Sequence, residues 1–251
     1  MPDEPNFGTF DVANFTVGAM LRAGIAIRRV VRGSESLEAA ANCVVRYLYD
    51  HGIDSNSGER NCALVRFYKT HAYGTLEPEQ QLFAERLLGE QSRDDSMRCL
   101  ALVATAGDEP EWNARRDSAS HQAIPLPSAD IVRRAPMIAR LIEDLGLDIE
   151  SIVSGQTTPA RVGDARTYDV FHVEEAVGSP HIPAQREFVK RYGIESVVGF
   201  GGLLRSGELY AVILFSRVRI PKASAARFRA IALDVRSALY ALDEEKTWAQ
   251  N

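Results

Sequence analysis

The hydrophobic pattern is clearest in the last quarter of the chain, where two nearly continuous apolar runs, residues 197–204 and 209–215, flank a short polar turn. Both runs are rich in β-branched and aromatic residues, and they predict two antiparallel strands joined as a tight hairpin. Strands that are apolar at nearly every position have both faces covered, so we expect other segments to pack on each side of the sheet. Gly199, Gly201 and Gly202 favour a bulge or the close approach of a helix or ligand.

A long amphipathic helix is predicted after the hairpin, and it carries two apolar stripes. The larger stripe consists of Phe228, Ile231, Val235, Leu239 and Leu242. The smaller stripe lies about a third of the way round the helix and consists of Ala226, Ala230, Leu233, Ser237 and Tyr240. Two stripes predict a helix packed both on its own domain and on another helix. That other helix is residues 15–31 of the same chain or of a second copy.

The rest of the chain mixes helical and extended patterns, which predicts an α+β fold. Apolar spacing, caps and prolines predict helices over residues 15–31, from Ser34 or Ser36 to Gly52, over 78–88, from Pro136 onward and over 183–191, with a helical turn capped by Ser128. Further strands are predicted over 61–70, 97–106, 123–126 and 167–173. Residues 148–163 are assigned only a loop with a short element.

The order of these elements favours an antiparallel β-sheet flanked by helices, because the late strands are joined by turns too short for a parallel crossover. The sequence shows no internal repeat and no low-complexity linker. We predict an N-terminal arm and helix over residues 1–33, one domain over 34–243 and a tail over 244–251.

The charge balance argues against one class of partner. The 251-residue chain has a formal net charge of −5, which disfavours nucleic-acid binding through bulk electrostatics. Basic residues are nevertheless concentrated between Arg217 and Arg236, where Asp234 is the one acid. They form either a solvated helix face, balanced by the acidic residues 243–245, or a docking face for an acidic partner.

The cysteines and the N-terminal region indicate a compartment. Cys43, Cys62 and Cys99 lie in apolar runs without metal-ligand spacing, so we predict core thiols and neither a disulfide framework nor a zinc site. The first residues are acidic and polar, unlike a signal peptide, and Arg22 interrupts the first apolar run well short of a membrane span. We therefore expect a cytoplasmic protein with no membrane partner.

The predicted elements follow one another as a helix, the strands at 61–70 and 97–106, a variable middle at about 108–182, and the closing hairpin and helix. This order resembles that of a GAF domain, the small sensory module of bacterial signalling proteins. The resemblance covers about residues 34–243 and is strongest over 193–241. It implies a GAF-like antiparallel sheet with the N- and C-terminal helices forming a bundle. It also implies homodimer contact through those helices and signalling to a downstream protein, such as a two-component system. PAS domains share this architecture and are the structural alternative.

The activities best defined in the GAF family lack their residues in this chain. The Asn-Lys-x-n-Phe-x-x-x-Asp-Glu pattern of cyclic-nucleotide-binding members is absent from the sequence. No cysteine follows Cys99, whereas bilin-binding members and the methionine sulfoxide reductases of this fold use cysteines in the middle region. We therefore predict that the protein is not an enzyme, with an unknown small molecule as ligand and no cofactor assigned.

Two groups of residues are candidates for ligand binding. Tyr168, Phe171, His172 and His181 could contact an organic ligand, although the histidines could also bind a metal or make structural hydrogen bonds. The second group, on a loop before residues 123–126, could form a lid over an anionic ligand or anchor that loop to the core, and it consists of Trp112, Asn113, Arg115, Arg116 and His121. No metal ligands and no catalytic residues are assigned.

Three functions remain open. The first is a sensory or regulatory domain that binds a small molecule between its sheet and the middle region and signals through its terminal helices. The second is a ligand-free dimerisation or scaffold module with the same fold. The third is an enzyme that uses the region of His172 and His181.

Overall fold

The fold is α+β, with helices on both sides of a six-stranded antiparallel sheet. The computed structural model describes residues 8–89, 93–157, 169–243 and 247–248. The strands are β1 Cys62–Ala72, β2 Arg98–Gly107, β3 Ala123–Leu126, β4 Phe171–Val173, β5 Ser196–Leu203 and β6 Leu209–Ser216, in the spatial order β3-β2-β1-β6-β5-β4. The helices are α1 Val17–Val30, α2 Leu37–His51, α3 Pro78–Leu88, α4 Ala129–Arg133, α5 Pro136–Asp144, α6 Ile149–Ser154, α7 Lys222–Ala225 and α8 Phe228–Leu239, with a π-helical segment at Gln185–Lys190.

The predicted closing hairpin is confirmed as β5 and β6, which pair antiparallel from Ser196 opposite Ser216 to Leu203 opposite Leu209. Every residue of both strands is buried, so the sheet is covered on both faces as its composition indicates. At Gly199 the α5 side chain Leu141 comes so close that an added Cβ would lie 2.9 Å from its Cδ1 atom. The predicted close approach of a helix to these glycines therefore occurs at Gly199.

On one face of the sheet, α2 and α8 pack on the strands and α1 packs beside them. The larger stripe of the last helix is buried there, and its Phe228 ring stacks between Phe15 at 4.8 Å and Phe200 at 5.5 Å. The Tyr210 hydroxyl of β6 donates a 2.5 Å hydrogen bond to the Ala232 carbonyl, which fixes α8 to the sheet. The GAF-like arrangement is thus present, with the first and last helices packed together.

The contact between α1 and α8 lies within one chain, and it leaves the smaller stripe outside. Gly24 of α1 lies against Asp234 of α8, which also forms an ion pair with Arg28. Leu233 and Tyr240 of the smaller stripe remain more than half exposed. The α1 side chains Val17, Leu21 and Ile25 are also about half exposed. We call these five residues the terminal-helix apolar face.

The other face of the sheet is covered by the middle region, through α4, α5, α6 and the π-helical segment. The predicted helices at Ser128 and Pro136 are confirmed, and the short element predicted within 148–163 is α6. The strand predicted over 167–173 is shorter, since β4 comprises only Phe171–Val173, and residues 158–168 lie outside the described residues. No helix of the described residues is long and apolar enough to cross a membrane.

The basic residues around α8 pair differently from the prediction. Arg217 pairs with Asp108, Arg219 with Glu174 at 3.0 Å and Arg229 with Asp169 at 2.7 Å, each on another part of the chain. Asp243, predicted as a solvated balancing acid, is instead buried. The reason is the buried Lys69 of β1, whose Nζ lies 3.7 Å from Asp243 Oδ1.

Candidate functional site

A buried arginine, Arg66, lies in the middle of the central strand β1 and is only 6% exposed. Its neighbours on the same side of the strand, Leu64 and Tyr68, belong to the core beneath the middle region, so Arg66 faces that region too. The Arg66 Nη1 atom donates to Tyr68 Oη at 3.2 Å, and Nη2 donates to Ser118 Oγ at 3.2 Å. Among the residues that the structure describes, the buried Nε has no hydrogen-bond partner, and no carboxylate lies within ion-pair distance of Arg66.

The groups around Arg66 are neutral and polar. Thr105 lies directly opposite on β2, and its Oγ1 is buried with no hydrogen-bond partner among the described residues. His121 takes a left-handed backbone conformation, with φ 59°. The residue as a whole is exposed, yet desolvation of the ring and then the Arg66 charge lower the pKa of His121 to about 4. Its imidazole is therefore uncharged at neutral pH.

The loop over residues 113–122 covers Arg66 and is itself firmly anchored. Arg115 of the loop is buried, and it pairs with Glu38 of α2 and with Glu77 before α3, each at 2.5 Å. Ser118 accepts the Arg66 hydrogen bond, and its own hydroxyl donates to the Ser120 carbonyl at 2.9 Å. We call residues 113–122 the covering loop.

The C-terminal residues contact the covering loop. The guanidinium carbon of Arg115 lies 4.6 Å from the centre of the Trp248 ring. The Trp248 ring also stacks on the imidazole of His71 of β1, with 5.0 Å between the ring centres. Burial, with the charges of Lys69 and Arg98, lowers the pKa of His71 to about 3. The covering loop, the sheet and the C-terminal segment therefore meet at Trp248.

The predicted lid residues separate in the structure. Trp112 packs beneath the middle region, with ring centres 4.6 Å from Tyr192 and 5.8 Å from Phe188. Arg116 forms an exposed ion pair with Glu77 at 3.1 Å. His121 lies close enough to Arg66 for the Arg66 charge to lower the pKa of its imidazole. Of this predicted group, the structure places His121 at the buried arginine.

The second predicted group does not come together. Phe171 is fully buried in the core beneath the middle region. His172, the next residue in β4, points to the opposite face, where its Nε2 lies 2.8 Å from the Ile220 carbonyl oxygen and burial lowers its pKa. His181 has a buried Nδ1 with no hydrogen-bond partner among the described residues. Tyr168 lies outside the described residues.

Sequence reasoning missed Arg66, Thr105 and Ser118. The signal available was a charged residue inside the strand predicted over 61–70, whose neighbours are nearly all apolar. A charge at such a position is either paired or functional. The partners themselves could not be read from the sequence, because Ser118 is 52 residues away.

Beyond Arg66, the described residues include buried cysteines, metal-ligating side chains and one surface depression. Burial raises the pKa of the Cys62 and Cys99 thiols to about 12 each, so neither is a thiolate at neutral pH. Within the described ranges, no group of three metal-ligating side chains could hold a metal ion. An open depression of about 420 Å³ is lined by charged residues. Four of its charged residues form two ion pairs, Arg60 with Asp50 and Arg217 with Asp108.

No protein-family model and no curated protein sequence matches this chain. The solved structures similar to it include a free methionine-R-sulfoxide reductase from Neisseria meningitidis in complex with its substrate, at 10% identity, 90% coverage of each chain and a TM-score of 0.47. They also include the GAF domain of a phosphoenolpyruvate-protein phosphotransferase from Coxiella burnetii, at 10% identity, 88% coverage of this chain, 93% of that chain and a TM-score of 0.46. A third is the phycocyanobilin-bound GAF domain of a cyanobacterial phytochrome, at 12% identity, 89% and 94% coverage and a TM-score of 0.46. At such identities the similarity concerns the fold alone.

Proposed function

We propose that this protein is a regulatory domain that binds a small molecule at Arg66, beneath the covering loop, and signals through its terminal segments. The observation that carries the proposal is the double contact of the covering loop. Through Ser118 the loop touches Arg66, and through Arg115 it touches Trp248 near the C-terminus. A ligand that moves the loop therefore changes the contact made by the C-terminal segment.

The polar groups at Arg66 favour a ligand site over a purely structural core. Nearly all buried donors and acceptors in proteins are satisfied, and each exception calls for an explanation. Here Arg66 Nε and Thr105 Oγ1 lie on paired residues of adjacent strands, and both lack partners among the described residues. A ligand or ordered water at this point would satisfy both atoms. This favours a sensor over the ligand-free scaffold as the function.

In this proposal, α8 transmits the effect of ligand binding to a partner. Asp243, just beyond α8, accepts hydrogen bonds from the Ser206 backbone N–H at 2.7 Å and from its hydroxyl at 3.0 Å. Five residues later, Trp248 contacts Arg115 of the covering loop. The end of the last helix is thus connected to both the sheet and the loop that covers the ligand site. Displacement of the loop would alter how this end is held.

We further propose that two copies associate through the terminal-helix apolar face, as expected from the sequence. Val17, Leu21 and Ile25 of α1 lie at successive helical spacings and are about half exposed. Leu233 and Tyr240 of α8 are exposed on the helix that packs against α1. A second copy would cover this face and connect the two output helices. A cytoplasmic location and a downstream signalling partner belong to the same proposal.

Native mass spectrometry of the full chain, compared with its denatured spectrum, tests both parts. We expect a dimer that retains a small-molecule mass, or a thermal shift with at least one member of a ligand panel. A chain that retains no mass and shows no thermal shift would refute the sensor and leave the scaffold function.

The dimer has its own test. The double variant L21E/L233E should be monomeric with an unchanged circular dichroism spectrum, because both side chains are already exposed. Leu82→Glu, at a similarly exposed leucine of α3, is the matched control and should remain dimeric. A monomeric wild-type chain would refute the dimer without affecting the ligand site.

A further inference from the structure

The charge at Arg66 restricts which ligand could bind there. A buried guanidinium without a carboxylate is strongly unfavourable, because burial removes its hydration, and the hydrogen bonds that it donates to neutral oxygens replace only part of that hydration. Arg66 has such neutral acceptors in Tyr68, Ser118 and the Ser120 carbonyl, the last at 3.5 Å. Its positive charge therefore lacks compensation within the part of the chain that the structure describes.

Strand β1 contains a second buried cation, Lys69, with which Arg66 can be compared. Lys69, three residues further along β1, is buried on the opposite face and is paired with the buried carboxylate of Asp243. The same strand thus carries two buried cations, and the described chain supplies a carboxylate for only one of them. A bound molecule is one source of the negative charge that the described residues do not supply to Arg66.

We propose that Arg66 binds the oxyanion group, a carboxylate or phosphate, of a small-molecule ligand. This inference rests on the proposed function and assigns the chemical class of its ligand. The planar guanidinium donates in parallel to two oxygens of such a group. The hydroxyls of Thr105 and Tyr68 are neutral donors of suitable type for the remaining oxygens. A cationic ligand would add positive charge at Arg66, and a neutral ligand would leave the existing charge uncompensated.

A purely structural role for Arg66 predicts a different effect of anions on the protein. If Arg66 only fastened the covering loop to the sheet, its replacement would loosen the loop, and anions would have no specific effect. If Arg66 is an anion site, Arg66→Met removes an uncompensated charge, so the variant folds and loses anion binding. The two roles are therefore separated by anion dependence.

The test measures thermal unfolding of the full chain in sodium phosphate and in sodium acetate, each against sodium chloride at equal ionic strength. The wild-type melting temperature should rise saturably with phosphate, acetate or both, and the probe that acts identifies the oxyanion. Arg66→Met should weaken the response at least tenfold. Arg66→Lys retains the positive charge but lacks the planar guanidinium, so its response to the anion should also be weakened. This variant keeps the experiment usable if the Met variant does not fold. Arg134→Met, at an exposed arginine beyond α4, is the matched control and should respond as wild type.

Equal responses of wild type and the Arg66 variants, or no response of wild type to either anion, would overturn the anion assignment. The outcome remains distinct from failure of the proposed function. Retention of a neutral or cationic small molecule in native mass spectrometry, unaffected by Arg66→Met, would refute the anion class and the location at Arg66, while small-molecule binding itself would stand. Absence of any retained or stabilising small molecule would refute the proposed function itself.

Discussion

Removal of the Asp243 carboxylate should destabilise the protein strongly, because it leaves the buried Lys69 without its ion-pair partner. The two side chains are 5% and 0% exposed, with 3.7 Å between Lys69 Nζ and Asp243 Oδ1. Burial lowers the pKa of Lys69, and the Asp243 charge opposes that shift. Removing one partner of a buried pair typically costs about 3–5 kcal/mol. For a chain of this size, that loss lowers the melting temperature by about 6–20 °C.

Urea denaturation of Asp243→Ala, Lys69→Met and the double variant measures the effect as a double-mutant cycle. The double variant should be more stable than Asp243→Ala alone, because the unpaired ammonium is gone. Asp234→Ala, which removes the more exposed pair with Arg28, is the control and should cost about 1 kcal/mol or less. An Asp243→Ala loss below about 1 kcal/mol, on the same scale, would refute the reasoning. Additive costs of the two single substitutions would do so as well.

Two further predictions concern the sheet. Because the folded pKa of His71 is about 3, below its ordinary value of 6.5, the unfolded chain binds more protons between these values. Stability should therefore fall as pH drops from 6.5 towards 3, and His71→Phe should flatten that part of the pH profile; an unchanged profile would contradict the buried neutral state. Gly201→Ala should lower stability by about 1–3 kcal/mol, since a methyl group there would overlap the Tyr210 carbonyl oxygen. Gly18→Ala in α1 is the control, because a Cβ there makes ordinary contact, and its stability should equal or exceed that of wild type. Thermal unfolding that ranks the two variants the other way would refute the packing argument.

The parts of the fold that were predictable from sequence are those with strong local signals. The hairpin of β5 and β6 was predictable because a continuous apolar run excludes an exposed face, and a short turn excludes a crossover. Ser36 caps α2 by accepting from the Ala39 backbone N–H, and Pro78 begins α3, so both helix starts were predictable from residue type. The extent of β4 was not, because only three residues pair with β5 and that pairing depends on tertiary contacts.

The candidate site was predicted only at His121. The pairing of Phe171 with His172 in one pocket contradicts strand alternation, since adjacent residues of β4 point to opposite faces. The alternative, in which Tyr168 rather than Phe171 accompanies His172, stays a prediction because Tyr168 lies outside the described residues. The position of Ser118 beside Arg66 was not predictable, because the two residues are 52 positions apart and their contact depends on the tertiary fold.

The same alternation places the two buried cations of β1 on opposite faces of the sheet. Arg66 and Lys69 are separated by three positions, so in a strand covered on both sides they must enter opposite cores. Each core then has to accommodate one cation, and local sequence cannot show how it does so. On the terminal-helix side, the chain itself supplies Asp243, which fixes the end of α8 to the sheet. On the middle-region side, the described chain supplies only neutral groups to Arg66. This difference assigns a structural role to Lys69 and a ligand-binding role to Arg66. Substitutions at Lys69 should therefore change mainly the stability of the fold, and substitutions at Arg66 mainly ligand binding.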